Sequence, residues 1–340
     1  MRTFIIHQSE EGQTLEKYIQ KLLVSAPMSF IYKLFRKKDI KVNGHHEDRK
    51  FIISTNDEVS IYIKEEQFVE FLKEKEIQGS DAIKDWIVYE DKNVLFINKP
   101  RGLLVQKSAP QDKSLDQMVC EYLIYKGEYQ PNEEIGFKPG PAHRLDRNTS
   151  GIVAFGKTHD ALELLFELFK DHELINKHYL ALVVGQVEKD KGVVDAPLLK
   201  DEENNIVKVA RNGKTAKTVY KLIKKYDDYS LLDVTLLTGR THQIRVHLSY
   251  INHPIVGDSK YGNFNANRIF KEKYHFANQF LHAYKLGFGD LPQPLTNLSR
   301  KEFTAQPNEE IANILTMLEN NSEDLKIWAH KKITIVGLIL

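Results

Sequence analysis

The sequence predicts an α+β fold in two domains. Apolar residues recur at both helical and strand spacing, and the two kinds of segment follow one another without the regular alternation of a doubly wound sheet. A charged stretch divides a short N-terminal part from a longer remainder, and the 340 residues suit about 70 followed by about 220. No internal repeat or low-complexity tract interrupts this pattern.

The N-terminal module is expected over residues 13–63. Leu15, Tyr18, Ile19, Leu22 and Leu23 mark one short amphipathic helix, and Ile31, Leu34 and Phe35 mark a second after Pro27. The run from Arg36 to Gly44 then leads through an Asn43-Gly44 turn toward strands. Between Lys33 and Lys50 seven basic residues face three acids, a local excess of +4 in a chain whose net charge is only +1. Affinity for a polyanion therefore has to come from a patch, and Arg36, Lys37, Lys38 and Lys41 are its candidates. A solvated helix face is the competing reading. Residues 64–85, rich in charge and containing Gly79-Ser80-Asp81, are expected to be a linker.

The larger domain is expected over 86–304, with a C-terminal extension over 305–340. Leu162, Leu165, Phe166 and Phe169 mark a helix after a candidate cap, Thr158. Leu232, Val234 and Leu236, alternating with Asp233 and Thr235, mark a half-buried strand, and Ile152 to Phe155 read as a core strand. Directly before that strand stands His143-Arg-Leu-Asp-Arg-Asn-Thr-Ser-Gly151, with Asp146 between Arg144 and Arg147. An acid on a loop braced by rigid structure is where catalytic groups tend to lie. A nearby cation favours its ionised form, which can act as nucleophile, base or stabiliser of positive charge. A structural Arg–Asp pair fits the same residue types equally well.

Other chemistries find less support. His143, His242 and His247 with Asp146 could be assembled into a metal site, but a five-residue spacing puts His242 and His247 about 140° apart on a helix. They read as hydrogen-bonded packing residues. Asn98-Lys-Pro-Arg-Gly102 reads first as a turn, with a phosphate contact from Lys99 or Arg101 secondary. There is no Gly-x-Gly-x-x-Gly or Walker pattern. The single cysteine, Cys120, excludes an internal disulfide and suits a reducing compartment. The apolar run in Met1–His7 is too short for a signal peptide, and no segment is long enough to span a membrane. A soluble, cytoplasmic protein is expected. The apolar end, Ile333 to Leu340, has no assigned role.

The nonapeptide resembles the signature of the RluA-type pseudouridine synthases, which isomerise uridine in RNA. Three further blocks agree in order: Val94 to Val105 with its Asn-Lys-Pro turn, Lys177-His-Tyr-Leu-Ala-Leu-Val183, and Gly239-Arg-Thr-His-Gln-Ile-Arg-Val-His-Leu248, followed by His253-Pro-Ile-Val-Gly-Asp258. The similarity spans about residues 86–304, and 13–63 resembles the small RNA-binding domain of the fourth small-subunit ribosomal protein. The resemblance implies a catalytic domain with a mixed, mainly antiparallel sheet. It further implies Asp146 as catalytic aspartate, Tyr179 as the residue packing on the target base, Arg245 as the partner of Asp146, and Arg144 as the side chain that enters the RNA stack. No cofactor and no metal are implied. The implied partner is RNA, with large-subunit ribosomal RNA favoured and transfer RNA open, acted on by a monomer. Two other classes stand beside this reading: an RNA-binding assembly factor with an unimportant active site, and a metal-dependent nuclease built on the histidines.

Overall fold

The computed structural model describes residues 1–6, 10–72, 78–109, 111–131, 137–171, 173–201, 204 and 206–320. The apolar run Ile333–Leu340 lies outside them. The chain divides into two compact units, one formed by residues 1–84 and 118–140, the other by 85–117 and 141–340.

The first unit contains β1 (Arg2–Ile5), α1 (Leu15–Leu22), α2 (Met28–Lys37), β2 (Ile40–Val42), β3 (Glu58–Ile61) and α3 (Glu65–Leu72). Thr14 caps α1 by accepting the Lys17 N–H, which satisfies one of the donors a helix start leaves unpaired. Pro27 opens α2, where its missing N–H costs nothing. Asn43 and Gly44 both take positive φ, as the predicted tight turn requires. The three strands pair antiparallel in the order β1-β3-β2. Tyr18, Ile19, Ile31, Leu34, Val59 and Phe68 share one core. The unit thus extends the expected 13–63 segment at both ends. β1 joins the sheet ahead of it, and the first part of the charged 64–85 stretch is helix α3, anchored through fully buried Phe68.

The second unit holds most of the remaining elements. In chain order these are β4 (Ile87–Glu90), β5 (Val94–Lys99), α4 (Leu115–Tyr125, whose residues from Met118 onward belong to the first unit), β6 (Gly140–Pro141), β7 (Ser150–Gly156), α5 (His159–Asp171) and β8 (Ile175–Val184). They continue as β9 (Lys191–Asp195), β10 (Leu198–Asp201), β11 (Ile206–Val209), β12 (Lys217–Lys225), β13 (Tyr229–Leu236), α6 (Gln243–Tyr250), α7 (Phe264–Tyr274), β14 (Leu281–Phe288) and β15 (Glu302–Thr304). One sheet runs β4-β5-β7-β14-β8-β13-β12-β9, with β15 beside β14. Along this path only β7 and β14 are parallel, so the sheet is mixed and mainly antiparallel, as expected.

All seven residues of β7 are buried, because α5 covers one face of the strand it follows. Thr158 accepts the Ala161 N–H at 3.4 Å, the cap the sequence predicted. The buried stripe of α5 is Ala161, Leu165, Leu168 and Phe169, and Phe166 is exposed. Phe166 sits one residue, about 100°, round from Leu165, outside the stripe. β13 buries Leu232, Val234 and Leu236 as its alternation predicted. Residues 309–320 are helical and bury Ile311, Ile314 and Leu318. No helix among the described residues is long and apolar enough to cross a membrane.

Candidate active site

Asp146 stands on the loop that enters β7, and that loop is pinned from several sides. The Ala142 N–H bonds the Ala154 carbonyl at 2.8 Å, and the Ala154 N–H is accepted by His143 Nε2 at 3.2 Å. The Arg147 carbonyl receives the Gly102 N–H at 2.9 Å and Lys99 Nζ at 3.1 Å. Thr149 closes a turn onto the Asp146 carbonyl and accepts Gln279 Nε2 at 2.7 Å. A carboxylate on such a loop is preorganised before any ligand arrives.

Lys99 is not the surface phosphate contact that its turn suggested. Its side chain is fully buried, and Nζ donates to the carbonyls of Pro100, Leu103 and Arg147 at 2.8–3.1 Å. Burial pushes its ammonium down to about 7, against an upward pull from the charge of Asp146. Arg101 likewise turns inward, pairing with Glu310 and lying 4.4 Å over the Phe276 ring.

Arg245 approaches Asp146 from α6, with Nη1 2.8 Å from Oδ2. The helix begins at His242, whose left-handed backbone (φ 54°) turns the chain into it. Gln243 ties that turn down. Its Oε1 accepts the Thr238 hydroxyl and the Arg240 N–H, and its Nε2 donates to the Lys217 carbonyl and the Thr218 hydroxyl of β12. The remaining side of the Arg245 guanidinium is held by Asp258, with Nε to Oδ2 at 2.7 Å and Nη2 to Oδ1 at 2.9 Å. Burial would lower the Arg245 pKa, but hydrogen bonds and charge from Asp258, then Asp146, raise it above its ordinary value. For Asp258 burial acts upward, and the bonds from Arg245 and from the Lys260 and Tyr261 N–H groups leave it below the usual carboxylate range.

Tyr179 comes from β8 and is 6 % exposed. Ala283 of β14 lies opposite Tyr179 on one side and Gly151 of β7 on the other, so β14 sets the spacing between the Asp146 loop and Tyr179. The Tyr179 hydroxyl makes no hydrogen bond among the described residues. Burial, then the charge of Asp146, raises its pKa, so the phenol keeps its proton at neutral pH.

Asp146, Arg245 and Tyr179 therefore converge, from a loop, a helix and a strand. Arg144 does not join them: it is exposed, and its guanidinium has no ion pair among the described residues. Arg147 also points away, 4.0 Å from Asp112. The cation on Asp146 is thus the distant Arg245 and not the two arginines beside it in sequence. The histidines part company as well. His143 stacks on Phe169 at 4.0 Å, and burial, then the charge of Lys177, pushes it to about 3. His247 bonds the Thr218 hydroxyl and the Ala196 carbonyl, each at 2.9 Å. His242 alone reaches toward Asp146, with Nε2 3.9 Å from Oδ2. Among the described residues no three His, Cys, Asp or Glu side chains are grouped to hold a metal. Cys120 is buried as its apolar neighbours suggested.

In the first unit Arg36, Lys37 and Lys38 are exposed at the end of α2. Lys41 Nζ lies 5.3 Å over the Tyr62 ring, and Arg49 lies 4.9 Å over Tyr32. Tyr32 and Tyr62 are both exposed, which gives the basic face an aromatic component the sequence did not single out. Lys33, Lys37, Lys64 and Tyr62 line a groove of about 410 Å³ on this unit.

Comparisons with known proteins converge on one class. The sequence profile of RNA pseudouridylate synthases matches residues 93–250. The chain is similar to ribosomal large subunit pseudouridine synthase C of Vibrio vulnificus, 32 % identical over 93 % of this chain and 96 % of that one. It is similar also to the Escherichia coli K12 protein of that name, 33 % identical over 83 % and 87 %. Its fold resembles the human RNA pseudouridylate synthase domain containing 4 structure, at a TM-score of 0.57 and 23 % identity over 70 % of this chain and 95 % of that one. The chain belongs to the RNA pseudouridylate synthase family, enzymes that isomerise uridine in RNA.

Proposed function

We propose that this enzyme converts specific uridines of large-subunit ribosomal RNA to pseudouridine, with Asp146 as its catalytic carboxylate. The observation that carries the reading is the chain Asp258–Arg245–Asp146 beside Tyr179, a buried residue whose hydroxyl makes no hydrogen bond among the described residues. Two relatives of nearly full length bear a large-subunit ribosomal name, which supports the choice of RNA.

The reaction breaks the bond from the sugar C1′ to uracil N1, turns the freed base, and joins C1′ to C5, whose hydrogen leaves as a proton while N1 takes one up. Breaking the first bond builds positive charge on the sugar, the problem glycosidases meet with carboxylates. Asp146 answers it by adding to C1′ or by taking the 2′ proton, and both routes need the anion that Arg245 positions. Uracil departs as an anion that has to be retained. The Tyr179 ring holds it by stacking, worth about 1–3 kcal/mol per base in single-strand binders. The neutral phenol is a proton donor within the same contact. A uridine in a helix or stacked loop must first be flipped out, at a cost of a few kcal/mol. Arg144, exposed and unpaired, is the planar cation that fills the gap. The N-terminal unit adds affinity through Arg36, Lys37, Lys38 and Lys41. The enzyme acts as a cytoplasmic monomer without a cofactor, in keeping with one buried cysteine.

The test is tritium release from RNA labelled at uracil C5, with chelator present, using wild type and Asp146→Asn on ribosomal and transfer RNA pools. Release from ribosomal RNA by wild type alone is expected. Release by Asp146→Asn at the wild-type rate would remove Asp146 from the mechanism, and release from transfer RNA alone would move the substrate.

A further inference from the structure

Arg245 and His242 both approach the Asp146 carboxylate at one oxygen, Oδ2. His242 is 11 % exposed and presents Nε2 to Asp146 Oδ2 at 3.9 Å. Its second nitrogen, Nδ1, is 2.9 Å from the Tyr261 hydroxyl oxygen. That same oxygen accepts the Val207 N–H, also at 2.9 Å.

Proton counting, together with the carboxylate facing Nε2, favours one direction for these bonds. A phenol carries one proton, and toward Val207 its oxygen can only accept. Its one proton is free to go to Nδ1 of His242 at 2.9 Å, and the reverse arrangement would aim the Nε2 lone pair at the Asp146 carboxylate, so Nδ1 is assigned as the acceptor. A neutral imidazole has one N–H, which then resides on Nε2, the atom facing Asp146. Burial holds His242 below the ordinary imidazole range, against the pull of Asp146 and with Arg245 and Lys260 acting in the same direction as burial.

Tyr261 is itself firmly placed. Its backbone N–H donates to Asp258 at 3.1 Å, and its ring lies 5.1 Å from the Arg245 guanidinium. Val207 is buried with Leu198, Ala216 and Val246, which seats the β10–β11 hairpin beside α6. One tyrosine thus touches both residues that approach the reacting carboxylate.

Building on the proposed role of Asp146, we propose that Val207, Tyr261 and His242 form a hydrogen-bonded relay. It locks His242 in the Nε2–H tautomer and makes it a positioning residue, a second N–H donor for Asp146. The 3.9 Å separation shortens to hydrogen-bond length when substrate fills the site, as catalytic contacts commonly do between free and bound enzyme.

Two readouts test the relay on the full-length protein. Long-range proton–nitrogen correlation spectra of the imidazoles, assigned with His242→Gln, are expected to show His242 Nδ1 unprotonated and Nε2 protonated. Tyr261→Phe keeps the ring and removes the hydroxyl. It is expected to erase that tautomer signature and to lower kcat for tritium release about tenfold, the worth of one hydrogen bond, with KM for RNA unchanged. His242→Leu should lose at least as much, and His242→Gln, which keeps an N–H donor, should lose less. A wild-type spectrum with the proton on Nδ1, or a Tyr261→Phe enzyme with wild-type kcat, overturns the proposal. Wild-type protein that releases no tritium from any RNA sinks the reading of the site, and the relay's role with it, whatever the tautomer.

Discussion

Asp258 holds Arg245 by two parallel hydrogen bonds, at 2.7 and 2.9 Å, and is itself 1 % exposed. A forked contact of this kind fixes the plane of the guanidinium as well as its position. The geometry at Asp146 is therefore inherited from an acid that is itself shut away from solvent. Asp258→Asn should leave a buried cation half-paired, costing about 3–5 kcal/mol of stability. It should also reduce kcat about a hundredfold through misplacement of Asp146, with RNA affinity largely kept. Urea unfolding and tritium release measure the two effects, and wild-type turnover in this variant would show that Arg245 does not need its anchor.

The same acid sets a pH dependence. Its pKa is below the ordinary 3.8 in the folded protein, so between the two values the unfolded chain binds more protons. The stabilisation is complete above the ordinary value and is lost as pH falls through the folded one. The stability difference between wild type and Asp258→Asn should hold from pH 7 to pH 5 and shrink below about 4. A difference that stayed constant into the acid range would count against the ion pair.

Lys99→Met removes the buried donor shared by three carbonyls and loosens the Arg147 carbonyl that braces the Asp146 loop. The Arg147 carbonyl keeps the Gly102 N–H, and the Pro100 and Leu103 carbonyls lose their donor at about 1–3 kcal/mol each, so a loss near 2 kcal/mol in urea unfolding is the expected minimum. Residual enzyme should turn over more slowly, because the loop is held at one point fewer. A variant as stable as wild type would mean that water replaces the ammonium.

Gly151→Ala tests the junction between the loop and β14. Gly151 adopts φ +114°, and a Cβ there would stand 2.2 Å from the Ala283 carbonyl oxygen. Backbone cannot yield as a flexible side chain does, so the cost should exceed the 1–3 kcal/mol of strain alone. Thermal melts should show a large drop or no folded protein, and a melt within a few degrees of wild type would contradict the packing.

Arg36→Glu with Lys37→Glu probes the N-terminal face. If both side chains contact phosphates, the dependence of log affinity on log salt should flatten by about 2. Anisotropy titrations of ribosomal RNA fragments at several salt concentrations measure it. An unchanged slope would assign the cluster to solvent.

Much of this was legible before the structure. The paired helices of the N-terminal unit, the buried run after Asp146 and the alternation in β13 follow from apolar spacing, because burial on one face leaves a periodic trace. Asp146, Tyr179 and Arg245 were nominated by resemblance, and the fold brings them together. Neighbourhood in sequence misled where side chains diverge: Arg144 and Arg147 flank Asp146 on paper, yet its cation comes from α6, ninety-nine residues away. β1 is four residues long, too short for a pattern to be seen. Asp258 sat in a recognised block, but nothing in the sequence says that a buried arginine needs two anions. Tyr261 and Lys99 act through bonds to distant backbone, for which side-chain spacing carries no signal.

The parallel pairing of β7 with β14 sets when the enzyme comes into being during synthesis. Ser150 finds His282 as its neighbour, a separation of more than a third of the chain. Asp146 is made before the chain is half complete, but the strand that spaces it from Tyr179 emerges only after Arg245 and Asp258 have already appeared. Loop closure over such a distance is slow. A nascent chain therefore carries Asp146 through roughly two-fifths of translation without an assembled site, and the capacity to modify RNA arrives late and all at once.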